Sequence, residues 1–213
     1  MRHSNFFATQ KAAGFASFGK SVGGTKSEII RKSIHFLIAL TPSMAAINRP
    51  FTLGFLMIGT LGYVLMESLR LSGFNVPVVS LLTNMVSRER EINRFVMGPV
   101  TLGLGALLAL ILFPFPVASI AIYALAFGDG FASLAGKYFG KWRPSFLYGK
   151  SIEGSFTCFF IVFVCAYLVS GSFMISAVAA FSAMVVEALP LKDYDNLAIP
   201  VTVGLAVQFA LLF

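Results

Sequence analysis

The chain has 213 residues, of which 57% are apolar and only 12% charged, far below the roughly one quarter typical of a soluble domain. That balance excludes an ordinary water-soluble enzyme and puts the chain in the membrane class. The net charge of +7 is first a topology signal and second an attraction to anionic lipid or nucleotide, with no nucleic-acid partner expected.

In chain order, residues 1–27 contain no acid, several Ser and Gly, and Phe6, Phe7, Phe15 and Phe18, but no continuous apolar stretch of signal-peptide type. They read as a flexible basic tail or an interfacial segment, a transit peptide being the other reading. Thr25 followed by Glu28 fits a capping box that opens the first helix. Residues 28–213 then make one membrane domain. A hydrocarbon core of about 30 Å takes roughly 17 to 25 apolar helical residues per crossing. Seven windows bounded by charge or by Pro and Gly qualify: residues 33–47, which is short, then 51–69, 95–113, 116–136, 155–171, 173–189 and 197–213. The predicted fold is all-α, a polytopic transmembrane helical bundle of about seven spans.

Basic residues near span ends are retained in the cytoplasm, so their positions set the orientation. With the N-terminus inside, fifteen of the sixteen Lys and Arg fall on the inner side, and only Arg49 falls outside. Acids contribute little to orientation, yet all nine lie in inner loops or inner halves of spans: Glu28, Glu67, Glu89, Glu91, Asp129, Glu153, Glu187, Asp193 and Asp195. The outer connections are short and bare of ionisable groups apart from Arg49. Any chemistry is therefore expected at the inner, cytoplasmic face. Cys158 and Cys165 share a helical face without metal-site spacing and read as buried thiols filling space.

Asp129, flanked by Gly128 and Gly130, sits about 12 Å inside the inner boundary marked by Lys137. A carboxylate at that depth should face a polar cavity, and an intramembrane acid is by default a functional-site candidate. Its alternative is a structural hydrogen bond to a neighbouring helix. The flanking glycines permit close approach of a ligand or of another backbone. Beyond it, Gly128, Ala132, Ala135, Gly136 and Gly140 form a small-residue stripe, a common packing seam in membranes.

The loop from Lys137 to Ser155 carries Lys137, Lys141, Arg143 and Lys150 with glycines and hydroxyls. That composition suits a polyphosphate, although a loop that is simply positive-inside has the same look. Gly149-Lys150-Ser151 echoes a P-loop ending, but Pro144 occupies the first glycine position and no strand precedes it, so a P-loop is rejected. Glu187, Asp193, Asp195 and Asn196 cluster before the last span. With Asp129 they could hold a metal nucleotide, since Mg²⁺ takes one or two carboxylates plus substrate phosphates; a polar turn is the plainer reading of Asp193 and Asp195. Arg31 and Lys32 open the first span and can snorkel, whereas His35, one turn on, is either a catalytic or a hydrogen-bonded structural imidazole.

In order, these pieces resemble the family of CTP-dependent lipid-alcohol kinases that includes dolichol kinase, phytol kinase and the CTP-dependent diacylglycerol kinase. The resemblance is carried by Arg31-Lys32-x-x-His35, then Gly128-Asp129-x-x-Ala132-x-x-x-Gly136-Lys137-x-x-Gly140, then Lys150-Ser151-x-Glu153-Gly154-Ser155, and finally Glu187 with Asp195-Asn196-x-x-x-Pro200. It implies transfer of the γ-phosphoryl group of CTP to the hydroxyl of a membrane lipid alcohol (a polyprenol or dolichol, phytol or diacylglycerol), with Mg²⁺ or another divalent cation, at the cytoplasmic face. It implies catalytic roles for Asp129, Lys32, His35 and Glu187. It implies CTP binding by Arg31, Gly136, Lys137, Gly140, Lys150, Ser151, Glu153, Gly154 and Ser155, and metal binding by Asp129, Glu187, Asp195 and Asn196. The chain departs from the pattern at Ala39-Leu40-Thr41-Pro42, where a small residue is expected soon after the His. It also lacks the additional N-terminal spans of the long dolichol kinases, which fits a phytol-kinase-like or bacterial-type member. Two other readings stand beside this one: a phosphatidate cytidylyltransferase-like activity forming a CDP-lipid, and an ion-coupled transporter using Asp129 and Glu187.

Overall fold

The computed structural model describes residues 28–74, 76–77 and 94–212. The tail 1–27, with the Thr25 half of the expected capping box, and Arg88, Glu89, Arg90 and Glu91 of the second inner loop lie outside the described residues. Among the described residues every regular element is helical: α1 (Glu28–Leu71), α2 (Gly98–Leu112), α3 (Val117–Tyr138), α4 (Ile152–Ser170), α5 (Phe173–Ala188) and α6 (Asp195–Ala210). Of these, α1, α3 and α4 are long and apolar enough to cross a membrane, and α2 and α5 are shorter apolar helices.

The expected spans 33–47 and 51–69 appear as one hydrogen-bonded run of 44 residues, α1. Straight, it would be about 66 Å long, twice what a bilayer core accommodates. It is not straight, because Asn48 leaves helical geometry with φ −151° and ψ 95°. There its side-chain oxygen accepts the Phe51 N–H at 3.0 Å, capping a second helix arm whose first turn holds Pro50, a position where a missing N–H costs nothing. Two contacts show where the second arm goes. Arg49 donates to the Leu110 carbonyl near the end of α2, while the Tyr63 hydroxyl donates to Val96 O at 3.2 Å, just ahead of the start of α2. The second arm therefore runs antiparallel to α2. The first arm runs antiparallel to α3, since Lys32 and His35 reach Asp129 and Leu125.

The other boundaries have similarly local causes. Ser151 caps α4 by accepting the Gly154 N–H at 3.1 Å, and Gly171, at φ 65°, ends that helix in the left-handed conformation that glycine tolerates. Ser172 caps α5, which stops just ahead of Pro190. The last helix spans Asp195–Ala210, starting slightly earlier than the expected 197–213.

Packing follows the membrane rule of small residues inside and large ones outside. Ala106, Ala121, Ala124, Ala166, Ala179, Ala180 and Ala183 are fully buried, while Leu37, Ile58, Phe156, Phe160, Leu168, Phe181 and Phe209 face outward. Such an apolar outer surface would be an aggregation liability in water and is suited to lipid. The α3–α4 seam is closely packed. A Cβ on Gly128 would lie 2.6 Å from Val162, and one on Gly154 would lie 2.9 Å from Ala132 O. The expected small-residue stripe is thus a seam, and α4, α5 and α6 pack in sequence beside it while α2 closes against α1 and α6.

Candidate functional site

The centre of the site is made by an irregularity in α3. Residues Ala124–Asp129 form a π-helical turn inside the helix, a rare feature that recurs at functional sites. Asp129 closes this turn and is buried, and the first arm of α1 supplies its partners. Lys32 Nζ donates to Asp129 Oδ2 at 2.5 Å, with both side chains almost fully buried. His35 Nε2 lies 2.8 Å from Leu125 O and 3.3 Å from Asp129 Oδ2. A carbonyl can only accept, so Nε2 carries the hydrogen and His35 is a donor here. Oδ2 is thus doubly engaged, whereas Oδ1 has among the described residues only the 3.4 Å bond from Ser133 and retains spare lone pairs. The glycines beside Asp129 serve helix approach: Gly128 admits Val162 of α4, and Gly130 admits the ring of Phe36, to which an added Cβ would come within 2.2 Å.

A cavity of about 330 Å³ opens over this carboxylate, within the range of small-molecule sites. Arg31, Lys32, Lys150 and Lys192 bring positive charge to it, and Asp129, Asp193 and Asp195 bring negative charge. Ile34, Val96, Pro99 and Leu102 add apolar surface to its lining. Arg31 gives one guanidinium nitrogen to Glu28 at 2.5 Å, while its buried Nε has no hydrogen-bond partner among the described residues. A buried donor of that kind calls for an acceptor that a ligand can supply. Burial, and after it the charge of Asp129, pushes the Asp195 carboxyl up to about 7.

Among the residues expected at the site, Arg31, Lys32, His35, Asp129, Lys150, Asp195 and Asn196 line this one cavity, although they come from four separate stretches of sequence. Glu187 stands behind it. Its carboxylate is 3.2 Å from Lys150 Nζ and accepts the Ser155 hydroxyl at 3.2 Å, so Glu187 and Ser155 hold the lysine that lines the cavity. Glu153 closes the loop before α4, accepting the Lys141 N–H at 2.9 Å and the Trp142 N–H at 3.2 Å. Its own backbone N–H, followed by that of Lys141, holds its carboxyl below the ordinary range. Ser151 is spent on the α4 cap, Gly136, Gly140 and Gly154 lie in the α3–α4 seam around it, and Lys137 is exposed at the end of α3, outside the cavity lining.

The metal set is likewise divided. Asn196 donates to Thr101 Oγ1 at 3.0 Å and to Gly98 O at 3.4 Å, tying α6 to α2. Among the described residues no three His, Cys, Asp or Glu converge as a protein-only metal cage. Two carboxylates on one cavity, Asp129 and Asp195, do fit Mg²⁺, which completes its shell with water and substrate phosphate. Ser133, Tyr148 and Lys192 also line the cavity and were not singled out from sequence. Ser133 was recoverable, lying one helical turn from Asp129, whereas Tyr148 and Lys192 depend on loop geometry.

No family profile and no solved structure matches the chain. Among curated proteins it is similar to Phytol kinase 1, chloroplastic, of Arabidopsis thaliana, 28% identical over 166 residues that cover 68% of this chain and 55% of that protein. It is 26% identical over 152 residues to Probable phytol kinase 1, chloroplastic, of Oryza sativa subsp. japonica, covering 63% and 48% of the two chains. It is 33% identical over 104 residues to CTP-dependent diacylglycerol kinase 1 of Schizosaccharomyces pombe, covering 47% of each. The chain spans about half the length of the curated relatives it matches. The resemblance carried by Arg31 through Pro200 therefore agrees with the chain's curated homologues, which are phytol kinases and a CTP-dependent diacylglycerol kinase at modest identity.

Proposed function

We propose that the protein transfers the γ-phosphoryl group of CTP to the hydroxyl of a membrane lipid alcohol at the cytoplasmic face. The observation that carries this reading is the shared cavity, whose lining includes buried Asp129, a set of cations, further carboxylates, and the apolar residues Ile34, Val96, Pro99 and Leu102. Phosphoryl transfer demands little covalent chemistry from a protein and much positioning and charge neutralisation. Lys150, held from behind by Glu187, and Arg31, with its unpartnered Nε, are suited to phosphate oxygens. Asp129 Oδ1 is the atom available to a metal or to the hydroxyl proton of the acceptor, and Lys32 and His35 hold the carboxylate through Oδ2 and aim it. Asp129 and Asp195 would hold Mg²⁺, which supplies charge neutralisation across the transferring phosphate. Ile34, Val96, Pro99 and Leu102 offer the lipid chain an apolar path to the same point. The choice of CTP as donor is supported by the name of one relative, and that of a lipid alcohol by the names of all three.

The test is formation of lipid phosphate by the purified protein in lipid–detergent micelles with CTP and Mg²⁺, across phytol, diacylglycerol and polyprenols. Product should appear with at least one alcohol and should vanish in Asp129→Asn. No product with any alcohol would remove the kinase reading.

A further inference from the structure

Among the described residues, the non-glycine residues with positive φ are Tyr148 at 50° and Lys192 at 57°, and both line the candidate cavity. Left-handed backbone is unfavourable for a residue with a Cβ and persists only where its surroundings impose it, most often at ligand sites. The surroundings of Tyr148 do impose it. Its N–H donates to Ser145 O at 3.3 Å, and the Lys150 N–H donates to Leu147 O at 2.9 Å. Arg143 then grips the loop from both sides, donating to Gly149 O and to Gly136 O, each at 2.5 Å. The loop is therefore built to present Tyr148 in this one way, yet the ring is 71% exposed and joins none of the ring pairs found among the described residues.

We propose that Tyr148 is the platform on which the base of the donor nucleotide stacks. The inference rests on the nucleotide reading above and adds a residue that sets nucleotide affinity. The phosphate-suited groups, Lys150 and Arg31, share the cavity with Tyr148, so a nucleotide with its phosphates there brings its base within the reach of the ring. An aromatic face binds any base, and this platform therefore contributes affinity without choosing cytosine. Other exposed aromatics near it, Tyr138, Phe139 and Trp142, have the look of interfacial anchors and do not line the cavity.

The test is direct binding of CTP, with Mg²⁺, to the full chain in detergent, with inorganic tripolyphosphate as the baseless comparison. Wild type should bind CTP more tightly than tripolyphosphate. Tyr148→Gly should weaken CTP by roughly tenfold and leave tripolyphosphate unchanged, while Tyr148→Phe keeps wild-type affinity. Glycine accepts the left-handed backbone without strain, so Tyr148→Gly should unfold no earlier than wild type, and lost binding cannot be assigned to lost fold. Equal CTP binding by Tyr148→Gly and wild type would overturn the proposal, as would parallel weakening of CTP and tripolyphosphate. Wild type that binds tripolyphosphate as tightly as CTP would overturn stacking and leave the polyphosphate site standing. Wild type that binds neither would overturn both.

Discussion

Asp129 is accommodated in an otherwise apolar helix because Lys32, 2.5 Å away, and His35, 3.3 Å away, meet it there. Breaking a buried pair from one side leaves the other charge uncompensated, at a cost of about 3–5 kcal/mol, whereas neutralising both members can be nearly neutral. Lys32→Met should therefore lower thermal stability in detergent markedly, and Lys32→Met with Asp129→Asn should recover most of the loss. Asp129→Asn alone leaves Lys32 unpaired and should also lower thermal stability. Its turnover is therefore read below its own unfolding temperature, where it should be reduced by roughly two to three orders of magnitude or more; near wild-type turnover there would remove Asp129 from the mechanism. Asp195 gives a pH signature. With its carboxyl pushed up to about 7, the folded protein holds a proton that the unfolded chain releases near pH 4, so this group's contribution to stability is lost as pH rises through 7. A metal site has the opposite need, because only the ionised carboxylate binds. Mg²⁺-dependent CTP binding should strengthen as pH rises through about 7, and Asp195→Asn should flatten that dependence.

At the scale of elements, helix ends were legible and helix interiors less so. The expected span bounds at 171 and 173 fall where Gly171 stops α4 and Ser172 caps α5, and the gap between 47 and 51 is the break at Asn48 between the arms of α1. The π turn at Ala124–Asp129 left no mark in the sequence, because one shifted hydrogen-bond register does not disturb a run that is apolar on all sides. The glycines of the nucleotide-like motif were ambiguous for a similar reason: close approach to a ligand and close approach to a helix require the same absent Cβ, and Gly128, Gly136, Gly140 and Gly154 serve the helices. Gly105 is a sharper instance, since a Cβ there would lie 2.1 Å from the backbone oxygen of Asn196. Backbone cannot swing aside as a side chain can, so Gly105→Ala should cost about 1–3 kcal/mol and separate α2 from α6. Thermal unfolding measures the cost. Unchanged stability would mean that α2 and α6 can part at Gly105 without cost.

For the whole molecule, the sequence pattern of charge placed the chemistry at one end, and the structure brings Lys32, Asp129, Lys150 and Asp195 together there from distant parts of the chain. Lys32 and His35 were legible as neighbours one helical turn apart, but their meeting with Asp129 required the antiparallel placement of α1 and α3, which composition does not encode. The polar end should be cytoplasmic and the Asn48 turn external. Single cysteines at Asn48 and at Lys141, in a background with Cys158 and Cys165 replaced by Ala, should react oppositely with a membrane-impermeant thiol reagent applied to intact cells. Labelling at Lys141 but not at Asn48 would invert the proposed orientation. The most direct measurement of the central claim supplies CTP labelled at either its α or its γ phosphorus, with Mg²⁺, a lipid alcohol and phosphatidate. The kinase account predicts γ label in the alcohol and release of CDP. Label from the α position in a CDP-lipid, with release of pyrophosphate, would contradict it.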